Sequence, residues 1–234
     1  DRALQEGGPR YSFIILHRDR PQMMDEMRAK GFEVVWLRFD DHHRKRGMLR
    51  VLPLLWWHML RLKPDIVHCN LFDDSLPGLI AAWLAGIRRR VLSRQDTGFH
   101  WLNAPQWVAL DRWNNRLATH IIAISGENRR FMIEKEHAPA HKITLVHNGI
   151  PPERFTQQVP GVMHNLRIQY GIRPEHLVIG NVARHVEWKG HRHVLEAAAT
   201  IVASHPYARF LLCGSGAGRK TMEELAAKLG LNAH

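Results

Sequence analysis

The sequence predicts an α/β fold built on parallel sheets, and three observations carry that prediction. Short runs rich in β-branched and aromatic residues recur along the chain, several are followed by stretches of helical periodicity, and glycines stand where helices should stop. Strands that are apolar at consecutive positions and alternate with helices belong to sheets covered on both faces. In order, the runs are residues 11–16 (YSFIIL), 32–37 (FEVVWL), 65–69 (DIVHC), 89–93 (RRVLS), 120–125 (HIIAIS), 142–147 (KITLVH), 176–182 (HLVIGNV) and 208–213 (ARFLLC). Helical patterns between them include PQMMDEMRAKG, LPGLIAAWLAG, ENRRFMIEKE and HVLEAAATIVA. Gly31, Gly86 and Gly230 each follow a helical run, where a left-handed C-cap is expected.

Composition shifts across residues 151–176 (PPERFTQQVPGVMHNLRIQYGIRPEH), which are polar, carry Pro and Gly, and hold one short helical piece. This predicts an N-terminal domain over residues 1–155, a linker over 156–175, and the start of a second domain over 176–234. The last part has only two strand signals, too few for a sheet that buries both faces, so a domain cut short is expected.

A formal net charge of +11 favours acidic partners: nucleic acid, anionic lipid headgroups or phosphorylated substrates. The two cysteines, Cys69 and Cys213, both end apolar runs and read as small buried hydrophobes, which fits a reducing, cytoplasmic setting. No stretch approaches the ~20 apolar residues of a membrane span. The chain opens DRALQEGG, with neither Met nor a signal-peptide pattern, and reads as a fragment or a processed chain.

Residues 211–230 (LLCGSGAGRKTMEELAAKLG) spell a strand, a glycine-rich turn and a helix. Thr221 and Glu224 have capping-box spacing, which points the helix N-terminus at the turn. Free N–H groups there suit a phosphate, and Gly214 and Gly216 permit its close approach, with Arg219 adding charge. The bland alternative is a tight turn with no ligand. Residues 179–191 (IGNVARHVEWKGH) set Arg184 and Lys189 in the preceding strand-to-helix connection, with Gly190 opening the next helix. Consecutive parallel strands usually neighbour one another, and ligands gather at their carboxyl ends. Both connections should therefore open on one rim, gathering Arg184, Lys189 and Arg219 into a diphosphate site able to stabilise a leaving diphosphate without metal. A solvated basic loop is the alternative.

Residues 43–64 (HRKRGMLRVLPLLWWHMLRLKP) mix basic residues with Trp56, Trp57 and several Leu. As a helix they could lie on an anionic membrane surface, or be buried, since apolar positions run nearly all the way round. The histidine clusters at 40–43 and 191–193 read as solvated loops, and no metal site is expected. No Asp-x-Asp or Gly-x-Ser-x-Gly occurs.

Residues 178–231 resemble the start of the C-terminal domain of glycosyltransferase family 4, on Arg184, Lys189-Gly190, the Ala-rich helix, and Gly214, Gly216 and Arg219 in a Gly-x-Gly-x-x-Arg turn. Residues 118–155, with Ser125 ending a strand and Asn148-Gly149 entering the linker, resemble the family's last N-domain unit, and LRLKPDIVHCN its "kPDivh" strand. The resemblance implies a GT-B fold of two Rossmann-like domains. It implies a retaining, metal-independent transfer from a nucleotide sugar, a substrate rather than a cofactor, to a glycan or lipid-linked acceptor. Arg184, Lys189, Gly190, Gly214, Gly216 and Arg219 would bind the donor, with Arg184 and Lys189 also stabilising the departing charge. A cytoplasmic protein, peripheral on the inner face of the membrane, fits this, and no nucleic-acid partner is expected.

The family's Glu-x7-Glu motif would fall beyond His234, and the first strand would precede Gly7-Gly8, so a chain truncated at both ends, with apolar faces exposed and no activity of its own, is expected. The family often places a His near the reacting sugar. The matching region, VLSRQDTGFHW, offers Gln95 or Asp96 there and His100 a little later, which makes Asp96 and His100 the acceptor-side candidates. Two other readings stay open. A dinucleotide-binding oxidoreductase could use GSGAG, although that turn would then belong in a domain's first unit. A basic nucleic-acid-binding protein would show salt-dependent binding.

Overall fold

The computed structural model describes residues 8–156 and 161–234, so Gly7 of the Gly7-Gly8 pair and residues 157–160 of the linker lie outside the described residues. The chain forms two compact units that divide between Ile150 and Pro151. Eight strands lie where the eight runs predicted them.

The first unit runs β1 (Ser12–His17), α1 (Met23–Ala29), β2 (Glu33–Arg38), α2 (Arg44–Leu62), β3 (Ile66–Cys69), α3 (Phe72–Leu84), β4 (Arg89–Arg94), α4 (Phe99–Asn103), α5 (Val108–Leu117), β5 (His120–Ala123), α6 (Gly126–Glu134) and β6 (Ile143–Leu145). Every strand pairing is parallel: β1 with β2, and β3-β4-β5-β6 as a four-stranded sheet. Crossovers through helices are what parallel pairing requires. Gly31 (φ +84°) and Gly86 (φ +73°) take the left-handed conformation that lets α1 and α3 stop.

Two apolar clusters hold this unit. One joins Leu37 and Phe39 to Met48, Val51, Leu55 and Met59 of α2 and to Ala81 and Ala82 of α3. The other packs Leu79, Leu92, Ile121 and Met132, each at most 1% exposed, between α3, the larger sheet and α6. Truncating such a residue to Ala removes about 2–5 kcal/mol. Cys69 belongs to this cluster, and its Sγ lies 2.8 Å from where a Cβ on Gly78 would stand, so α3 needs glycine there. Between the two sheets, β1 and β3 each leave one edge unpaired among the described residues. A solvent-open slot of about 130 Å³ lies between them, lined by Ile14, Leu16, Leu55, Met59, Val67 and Cys69 among others.

In the second unit, α7 (Glu153–Thr156) and α8 (Val162–Gln169) precede β7 (Leu177–Val182), α9 (His191–Ser204), β8 (Ala208–Cys213) and α10 (Arg219–Lys228). The strands β7 and β8 pair in parallel, register Leu177 to Ala208 through Val182 to Cys213. Leu195 and Ala198 of α9 and Leu231 form its buried core. Cys213 is exposed, against the expectation of burial, because it ends a strand of a two-stranded sheet at the open rim; both cysteines are free. Among the described residues, no helix is long and apolar enough to cross a membrane.

Candidate functional site

The register of β7 and β8 ends both strands at one level, and the chain leaving each turns over the other. Ala183 N–H donates to the Cys213 carbonyl (3.0 Å), His185 N–H to that of Ser215 (2.8 Å), and Gly218 N–H to that of His185 (2.9 Å). The two loops therefore touch backbone to backbone, which only residues without a side chain permit. A Cβ on Gly214 would stand 2.0 Å from the Ala183 oxygen, and one on Gly216 2.3 Å from that of His185. These glycines are needed for loop packing itself, whatever binds outside it.

Beyond Val182 the chain makes a 3-10 turn, Glu187–Lys189, and Gly190 at φ +72° admits α9. Arg184 and Lys189 lie on this connection, exposed and without an ion-pair partner among the described residues. The Arg184 carbonyl accepts from His191 Nε2 (3.0 Å), pinning the loop to the first turn of α9. The buried rings of His185 and His191 pack edge to face at 5.0 Å. Both nitrogens of His185, Nδ1 of His191 and Oδ1 of Asn181 have no hydrogen-bond partner among the described residues, giving the corner a polar floor.

The helix α10 begins at Arg219 with Gly218 as N-cap, three residues before the expected cap, Thr221. Thr221 lies within the helix and caps nothing, because the bond from Gly218 to His185 winds the chain into helix earlier. Arg219 consequently stands in the first turn and pairs with Glu223 (2.8 Å) one turn on, both well exposed. The structure thus places Arg184, Lys189, Gly190, Gly214, Gly216 and Arg219 on two touching loops at one sheet edge. With the α10 N-terminus beside them, they make an exposed cationic rim suited to a multiply charged anion.

Asp96 and His100 belong to the first unit, on the connection after β4. His100 is buried: it is 5% exposed, its Nδ1 bonds Asp111 Oδ2 at 2.7 Å, and its ring meets that of Phe72 edge to face at 4.0 Å. That ring holds the loop in place and is not open to a substrate. Asp96 accepts the Phe99 N–H (3.0 Å), its backbone oxygen accepts from Asn128, and its carboxylate stays partly exposed.

Beneath them lies a network that sequence reasoning missed. Arg94, 5% exposed at the end of β4, forks both amino groups onto Glu136 at 2.8 Å each. Asn115 joins both, Asp111 Oδ1 lies 3.7 Å from the guanidinium and Asp96 Oδ1 4.0 Å. Burial pushes the Asp111 carboxyl above its ordinary value, with Arg94 and His100 pulling the other way. No local pattern announced this, since Arg94 and Glu136 are 42 positions apart.

Residues 2–154 match the family described as Glycosyltransferase Family 4, and residues 162–234 match Glycosyl transferases group 1. The D-inositol 3-phosphate glycosyltransferase of Corynebacterium urealyticum is 37% identical over 212 residues, covering 70% of this chain and 50% of that protein. The 2-deoxystreptamine glucosyltransferase of Streptomyces kanamyceticus is 29% identical over 183 residues, covering 73% and 47%. This chain spans about half the length of the curated relatives it matches. Among solved structures, Anabaena HepE in complex with UDP and glucose superposes with a TM-score of 0.78 at 18% identity, covering 94% of this chain and 59% of that one. That likeness shows the fold, of GT-B type.

Proposed function

The chain belongs to glycosyltransferase family 4, and on that premise we propose that the intact protein moves a sugar from a nucleotide-sugar donor to a glycan or lipid-linked acceptor. The observation that carries this reading is the pair of unpartnered cations, Arg184 and Lys189, on a loop held by glycine packing beside the α10 N-terminus. In this reading the donor's diphosphate lies on that rim, contacted by Gly190, Gly214, Gly216 and Arg219. As the bond between the anomeric carbon and the phosphate oxygen breaks, the electron pair leaves with the nucleoside diphosphate. Arg184 and Lys189 stabilise the growing charge, so the transfer needs no metal. The acceptor hydroxyl forms the new bond and passes its proton to the departing diphosphate. Configuration is retained, as family membership implies, and the protein works in the cytoplasm, peripheral to the membrane.

On the acceptor side we assign Asp96, because its carboxylate reaches solvent, and we give His100 a positioning role through Asp111. UDP is the first nucleotide to test, since Anabaena HepE is known with UDP and with UDP-glucose. Calorimetric titration of the intact protein with UDP should show Arg184→Ala and Lys189→Ala each weakening binding roughly tenfold or more, as loss of a charge-assisted contact implies. Unchanged affinity and unchanged nucleotide-sugar turnover in both variants would remove the donor assignment.

A further inference from the structure

The helix α2 has two faces of opposite use. Gly47, Met48, Val51, Leu55 and Met59 are buried and form its inner stripe. On the outer side, Leu49 is 72% exposed, Trp57 53% and Leu60 43%, with Trp56 and Leu54 beside them. Lys45, Arg46 and Arg50 are exposed at the N-terminal half and have no ion-pair partner among the described residues. At the other end the Arg61 guanidinium lies over the Trp57 ring at 5.8 Å. No Asp or Glu occurs between Arg44 and Leu62.

We propose that this outward face of α2 docks on an anionic lipid bilayer, lying in the headgroup plane. Several large apolar side chains facing water on one helix need an apolar partner. The cations ahead of them and the Trp indoles among them fit the boundary between headgroup and acyl chain. At 1.5 Å per residue the helix lays about 28 Å of this face along the surface. Nucleic acid would satisfy the cations but leave Leu49 and Leu60 in water. An ordinary soluble partner would not account for a helix wholly without acidic residues. The inner stripe stays committed to the core, so docking requires no unfolding. The inference deepens the membrane-peripheral reading above, on which it rests, and does not depend on sugar transfer.

The test is co-sedimentation of the full-length protein with vesicles of mixed phosphatidylglycerol and phosphatidylcholine, and with vesicles of phosphatidylcholine alone, in the absence of substrate. Binding should require phosphatidylglycerol and weaken with salt. Arg46→Glu with Arg50→Glu should reduce it roughly tenfold or more. Leu49→Gln with Trp57→Gln, which leaves the charge untouched, should also reduce it roughly tenfold. All four positions are exposed, and unchanged circular dichroism would confirm folding. If the Leu49→Gln, Trp57→Gln protein binds like the wild type, or duplex DNA displaces the vesicles from it and from wild type alike, the face is a general polyanion surface and the proposal fails. Either result leaves the donor assignment intact.

Discussion

After β4 in the first unit, the strand-end connection is held by buried side chains: Arg94 forked onto Glu136, with Asn115, Asp111 and His100 completing the set. After β7 in the second unit, the equivalent connection is held by backbone, with three N–H···O=C bonds and the glycines that allow them. The difference follows from what each unit can bury. The first has two large apolar clusters and can enclose a charged group, whose desolvation is offset by well-placed partners. The second has a small core around Leu195, Ala198 and Leu231, and buries no ion pair among the described residues. It therefore fixes its loops mainly through backbone, with the His191 ring added on the Arg184 carbonyl, and that leaves the Arg184 and Lys189 side chains unengaged. Cations tied up inside cannot bind a ligand; cations on a glycine-braced loop can.

The sharpest way to break this contrast is Arg94→Met, which leaves Glu136 and Asp111 buried without their cation. It should destabilise the first unit by about 3–5 kcal/mol. Hydrogen exchange should accelerate at β4 and β5 amides and stay unchanged at β7 and β8. Adding Glu136→Leu should recover part of the loss; equal loss in the double variant would mean that the ion pair is not what holds the loop. Next comes Gly214→Ala, where the new methyl meets the Ala183 oxygen. A loss of about 1–3 kcal/mol is expected, together with at least tenfold weaker UDP binding. Gly180→Ala in β7 is the control, because nothing lies within 4 Å of its Cβ position, and it should change stability by less than about 1 kcal/mol. The smallest effect on stability belongs to Arg219→Ala. Its partner Glu223 is 62% exposed, so stability should move by less than about 0.5 kcal/mol. UDP affinity should still fall measurably, and an unchanged value would take Arg219 out of the site.

The elements and the cationic rim were legible because both are local signals. Runs such as FEVVWL and VIGNV announce strands by themselves, and Gly214 and Gly216 stand within three positions of each other on a strand-to-helix turn. What was not legible depends on contacts between distant residues. The Arg94 network joins positions on β4, α5 and the chain after α6, so no window of sequence contains it. The start of α10 was misjudged for a similar reason: Thr221 and Glu224 have the spacing of a cap, but the carbonyl of His185, far upstream, decides where the helix begins. The two faces of α2 were ambiguous because Leu occurs on both, Leu55 inside and Leu49 and Leu60 outside, and only packing against α3 and β2 separates them.

The slot between β1 and β3 has a consequence for how this polypeptide behaves in company. Among the described residues both strands leave a hydrogen-bonding ladder unused there, and neither SFIILH nor IVHC carries the lysine or proline with which exposed edges are usually guarded. An extended apolar segment pairing with either edge would continue that ladder and cover apolar side chains such as Ile14, Leu16 or Val67 in the same step. Self-association at high concentration should therefore start at these unguarded edges.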